Sequence, residues 1–218
     1  AHEGRSRLLA RWIDPAVVDE QDPLATDASL DLYAGSVQPP YDAAFLQRFA
    51  AAQAARLARI EAWVDQRLAT LRAAHGASSP AADQVFTVHR THADPRCLDL
   101  RLDANDRTLG SVWGDPKTVN ASAYAMGRVS SLTGFLSQWS SRSLADGPRN
   151  LAACTHPVLL LNYTADQSTF PSTRDAWMAA APGRVRSVDI RGGNHYLAGQ
   201  PALVEQVADH IASFAEGL

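Results

Sequence analysis

The sequence predicts an α/β fold, and three observations near its end carry that prediction. The run Pro157-Val-Leu-Leu-Leu-Asn-Tyr-Thr164 is almost continuously apolar, as expected of a strand covered on both faces in a parallel sheet. Arg184 to Ile190 offers a second strand, with Val185, Val188 and Ile190 on its apolar side and a Gly192-Gly193 turn after it. Helical signals follow each strand. Pro171-Ser172-Thr173-Arg174-Asp175 reads as a helix start, with Ser172 as N-cap and Asp175 in the capping-box position, and Pro182-Gly183 ends that helix. Pro201 opens the last helix, along which Leu203, Val204, Val207, Ile211 and Phe214 recur at helical spacing before Gly217 stops it.

The elements in front of this unit read differently. Arg5 to Ile13 is a short helical stretch carrying Leu8, Leu9, Trp12 and Ile13. Asp14-Pro15, Asp22-Pro23 and Gln38-Pro39-Pro40 then mark an irregular, turn-rich connection. A long helix comes next. Asp42 caps its beginning, Leu46, Phe49, Leu57, Ile60, Val64, Leu68 and Leu71 trace an apolar stripe, and Gly76 ends it. Arg48, Arg56, Arg59, Glu61, Asp65 and Arg67 place charge on its other faces, the pattern of an amphipathic helix packed on one side. Ala77 to Ala82 is a small-residue linker and a site for nicking or disorder. Val85-Phe86-Thr87-Val88 alternates like a short strand, and Asp94-Pro95 and Gly114-Asp115-Pro116 make turns.

Chemistry concentrates at two positions. Asp166 lies just past the carboxyl end of the first strand, and His195 sits in a Gly-Gly-Asn-His turn after the second. In open α/β sheets this is the edge where ligands bind and side chains from separate loops converge. Alone, each residue reads as a turn-capping aspartate or a satisfied loop histidine; together, in these strand contexts, they read as an acid and a base. The stretch from His156 to Phe214 resembles the C-terminal part of the α/β-hydrolase fold. In that family the triad runs nucleophile, acid, histidine, with the nucleophile on a G-x-S-x-G elbow. The resemblance implies that His195 is the general base and that Asp166 orients its ring and stabilises the imidazolium. It also implies an acyl-enzyme route for an ester or related acyl substrate, with no cofactor.

No Gly-x-Ser-x-Gly window occurs in the 218 residues. Gly4-Arg5-Ser6-Arg7-Leu8 comes nearest, but Leu8 replaces the second glycine and too few residues precede Ser6 for the feeding strand. Gly127-Arg128-Val129-Ser130 and Gly110-Ser111 also miss the pattern and lie outside any legible strand-to-helix elbow. The expectation is the C-terminal part of an α/β-hydrolase parallel sheet with a large, mainly helical cap-like insertion: residues 1–155 form the cap region and 156–218 the strand-helix-strand-helix core. On that resemblance the partner would be a separate N-terminal hydrolase segment carrying the nucleophile, a serine. A small molecule would be the substrate. The rivals are an epoxide, halide or carbon-carbon bond hydrolase on the same fold, or a non-catalytic binding protein without the nucleophile.

Composition excludes other classes. Hydrophobic residues make up 46% and charged residues 20%, with a formal net charge of −3, so there is no basic footprint for nucleic acid. No apolar run approaches the ~20 residues that span a bilayer. Cys97 and Cys154 read as ordinary buried thiols, although two cysteines also permit one disulfide. His89 and His92 with Asp94 raise a metal reading; without a second ligand cluster they read as exposed or hydrogen-bonding loop residues. Trp113, Tyr124, Phe135 and Trp139 are candidates for a pocket lining or for ordinary packing. His75 and His210 read as helix-surface positions, and His156 lies at the wrong end of its strand to act as the base. Asn194 and Tyr196, beside the histidine, are candidates for substrate contact or, for Asn194, a turn role.

Overall fold

The computed structural model describes residues 8–217. The chain mixes helices and strands and divides into two compact units, one built from residues 8–95 and 113–146 and the other from 96–112 and 147–217. Ser6 and the start of the predicted first helix lie outside the described residues. No helix among those described is long and apolar enough to cross a membrane.

The first unit is organised by its long helix. After α1 (Leu8–Trp12), α2 runs from Ala43 to His75. Asp42 accepts from the Phe45 amide at 2.7 Å at one end, and Gly76, at φ 82°, closes the other, where a residue with a Cβ is strained. Leu57, Ile60, Val64 and Leu68 meet Leu9, Ile13, Val88, Leu132 and Phe135 in one buried cluster. Strand β1 (Val85–Thr87) pairs antiparallel with β2 (Val129–Ser131), which leads directly into α4 (Leu132–Gln138), while α3 (Pro116–Ala121) precedes it. A strand-to-helix junction lies beside Ser130. It is not an elbow: Ser131 has φ −72° and caps α4 by accepting from the Gly134 amide.

Arg56 departs from the amphipathic pattern. Instead of lying on the charged outer face, it is fully buried. Its guanidinium pairs with both oxygens of Glu20 at 2.8 and 2.7 Å and donates to the carbonyls of Asp14, Arg90 and His89. A guanidinium has five donors in a fixed fork, so one buried Arg can tie together irregular segments whose carbonyls have no ladder partner. Helical spacing carries no trace of that role.

The second unit contains α5 (Gly147–Ala152), β3 (Val158–Tyr163), α6 (Pro171–Ala180), β4 (Val185–Ile190) and α7 (Pro201–Glu216). Strands β3 and β4 are parallel and in register from Val158 opposite Val185 to Tyr163 opposite Ile190. β3, α6, β4 and α7 arise where the sequence places them and α5 adds to them, but the described residues contain only this pair and the β1–β2 pair, not a large sheet. All six residues of β3 stay partly exposed, where coverage on both faces was expected. The cap of α6 also differs. Pro171 takes the first helical turn and Phe170 the cap position, so Ser172 lies inside the helix; Asp103 accepts from its amide at 3.0 Å and from its hydroxyl. Asp175 pairs with Arg174.

Candidate active site

Parallel pairing brings the carboxyl ends of β3 and β4 side by side, with Tyr163 opposite Ile190. The turns that leave those ends are then stitched together: Thr164 donates its amide to Ile190 at 3.1 Å, and Ala165 donates to Gly193 at 3.0 Å. The approach is close: a Cβ at Gly193 would lie 3.1 Å from the Ile190 carbonyl oxygen and 3.2 Å from Leu197 Cδ2, so a larger residue there would have to push its neighbours aside slightly. Leu197 holds φ at 51°, a conformation that costs an aliphatic residue about 1–3 kcal/mol. Asn194 anchors this loop by exchanging side-chain hydrogen bonds with both backbone groups of Ala198 and donating its amide to Gln200. Its turn role is thus visible.

Within this frame the two predicted residues meet. His195 Nδ1 lies 3.0 and 2.9 Å from the two carboxylate oxygens of Asp166. The carboxylate is buried, with Oδ1 also accepting from the amides of Ser168 at 2.7 Å and Thr169 at 3.0 Å. A carboxylate facing Nδ1 selects the tautomer protonated there and makes Nε2 the basic nitrogen. Tyr196 packs edge-on against the imidazole at 4.5 Å and is itself well exposed. Burial and the nearby Asp166 charge push the Tyr163 phenol above its usual range, so that hydroxyl stays protonated near neutral pH.

No known protein family, curated protein or solved structure matches this chain. Geometry therefore carries the functional argument.

A group of residues without a sequence signal completes the site. Asn105 Nδ2 donates to the Asp166 carbonyl at 2.9 Å, and the Thr164 hydroxyl donates to Asp106 at 2.5 Å while accepting from the Gly192 amide at 2.8 Å. The segment Asp103-Ala104-Asn105-Asp106-Arg107 carries no local pattern that announces these contacts, because its partners are remote in the chain.

The other candidates lie elsewhere. His156 is exposed before β3, at the opposite strand end from Asp166, and His75 is exposed at the end of α2. His210 is partly buried in α7. His92 is neither exposed nor hydrogen-bonded through its ring: it is 1% exposed, wedged against Trp12 and Trp113, and neither ring nitrogen has a hydrogen-bond partner. Among the described residues no group of three or more His, Cys, Asp or Glu side chains could hold a metal ion. Phe135 and Trp139 pack in the first unit's core, whereas Tyr124 is exposed. Cys97 is buried, Cys154 is partly buried, and neither is in a disulfide. A hollow of about 420 Å³ on α6 and β4, lined by Arg174, Asp175, Met178, Ser187 and Asp189, does not include the Asp166–His195 pair.

Proposed function

We propose that this chain supplies the acid and general base of an α/β-hydrolase whose nucleophile, a serine, comes from a separate hydrolase segment. Asp166 and His195 would be the second and third members of the triad. His195 Nε2 would take the proton of the serine hydroxyl as it attacks an ester or related acyl carbonyl, then return it to the leaving group. Asp166 would hold the ring by Nδ1 and stabilise the imidazolium. The observation that carries the reading is the pairing of Nδ1 with a buried carboxylate at 2.9 Å, across the carboxyl ends of two adjacent parallel strands.

Exposed apolar surface supports the partner. Every residue of β3 is partly exposed, none of the residues of α7 is buried, and Val204 and Ile211 are 49% and 52% exposed. Parallel strands are stable when both faces are covered, and such a surface is complementary to further strands of the same sheet. The epoxide, halide and carbon-carbon hydrolase alternatives would use the same base and acid, and differ in the residue the partner presents.

Intact mass measurement of the purified material, followed by fluorophosphonate labelling, tests this reading. The expected result is a second polypeptide, or a covalently continuous longer one, that takes up label and loses it on His195→Ala. A folded chain that is alone and unlabelled would move the assignment to a binding protein.

A further inference from the structure

We infer that Asn105, oriented by Arg107, is a positioning residue for the Asp166–His195 pair, an inference that rests on the catalytic reading above. The acid's turn is braced from a part of the chain remote in sequence. Arg107 is buried and donates through one nitrogen to the Asp103 carbonyl at 2.9 Å and to Asn105 Oδ1 at 2.7 Å; its other terminal nitrogen donates to the carbonyls of Leu102, Arg96 and Asp99. An arginine has donors only, so its contact fixes which end of the Asn105 amide is oxygen. The amide nitrogen is thereby turned to the Asp166 carbonyl, 2.9 Å away.

Neighbouring contacts make the brace continuous. The Asp106 amide donates to the Thr164 carbonyl at 2.8 Å, Gln167 donates to Thr108, and Asp103 holds the first turn of α6 through Ser172. Phe170, at the other end of the acid turn, is buried under the guanidinium groups of Arg96 and Arg107 at 3.9 and 4.9 Å from its ring. The peptide that carries Asp166 is thus pinned from outside its own loop. Its carboxylate must meet His195 Nδ1 through a side chain with two free torsions, so a tilt of that peptide would displace both oxygens from the ring. Asn105 touches neither substrate nor the reacting atoms.

The test reads the imidazole directly. Side-chain ¹⁵N NMR of the full chain, at a pH where His195 is neutral, reports the ratio of its Nδ1–H to Nε2–H forms. The wild type is expected to hold the proton on Nδ1, and Asp166→Ala to abolish that preference. Asn105→Ala should lower the ratio about fivefold, the equivalent of about 1 kcal/mol for one weakened hydrogen bond. Asn105→Asp, isosteric and still able to pair with Arg107, keeps the fold while replacing the donor with an acceptor, and should lower the ratio as well. Loss of thermal stability with an unchanged ratio in both Asn105 variants would make Asn105 a structural residue only and overturn the inference. A ratio unmoved by Asp166→Ala would instead overturn the acid–base pair itself.

Discussion

His92 offers a quantitative test of the first unit's interior. Burial pushes its imidazole from 6.5 down to about 4, with the nearby Arg128 charge acting in the same direction and Asp94 pulling against both. The folded state therefore holds His92 neutral while the unfolded chain protonates it near pH 6.5. Its stabilising contribution is complete above about pH 6.5, and is lost as pH falls toward about 4. At ~1.36 kcal/mol per pKa unit the shift from 6.5 to about 4 amounts to about 3 kcal/mol. His92→Phe removes the titration while retaining a ring between Trp12, at 5.0 Å, and Trp113, at 5.4 Å. It also removes two buried nitrogens without hydrogen-bond partners, each of which costs about 1–3 kcal/mol. Urea unfolding followed by tryptophan fluorescence from pH 7.5 to 4 should show two curves. At pH 7 the variant should match or exceed the wild type, and the wild type should then lose about 3 kcal/mol relative to it on acidification. Groups not coupled to His92 titrate in both proteins and cancel in the difference. Parallel curves across that range would refute the assignment of a buried neutral imidazole.

Glu20→Ala should destabilise the protein by about 3 kcal/mol, because it leaves a fully buried Arg56 without its carboxylate, whereas Arg142→Ala should change stability by less than ~1 kcal/mol, since its partner Asp65 and its own side chain are about half exposed; urea unfolding separates the two, and equal effects would contradict the burial argument. Phe135→Ala, at 0% exposure in the first unit's cluster, should cost about 3–5 kcal/mol in the same assay. Asp42→Ala should remove about 1 kcal/mol by leaving the Phe45 amide uncapped, and no change would argue that water replaces the cap without loss.

What was legible in the sequence follows from range of interaction. The α2 boundaries at Asp42 and Gly76 are local chemistry, a side chain bonding an amide within one turn and a glycine at positive φ, and both are as the residues suggest. The β3 and β4 spans are equally local, because a continuous apolar run in β3, an apolar side in β4 and the flanking turns belong to the segments themselves. The meeting of Asp166 and His195 was readable at one remove: parallel strands place their carboxyl ends together, and short turns leave little freedom beyond them. Arg56, His92 and Asn105 were not readable. Their environments are assembled from Glu20 and His89, from Trp12 and Trp113, and from Asp166 and Arg107 respectively. No periodicity in the residues themselves encodes such partners. Ser172 failed for a related reason, since Asp103 supplies from afar the acceptor that a local cap would have provided.

These long-range contacts also explain how Asp166 and His195 can be held together where the described residues provide one pair of parallel strands. A complete sheet would fix the turns through rigid flanking strands, but here β3 remains partly exposed along its whole length. The order instead comes from hydrogen bonds that cross between turns: Ala165 to Gly193, Gly192 to Thr164, Thr164 to Asp106, and Asn105 to Asp166. Each is individually worth only about 1 kcal/mol, yet they share residues, so loss of one loosens the frame that holds the next. The geometry at Nδ1 then depends on the brace more than on the exposed outer faces of β3 and α7. Adding a covering partner should consequently raise the stability of the sheet while leaving the His195 tautomer unchanged, and a tautomer that shifts on partner binding would show that the pair is completed by the sheet after all.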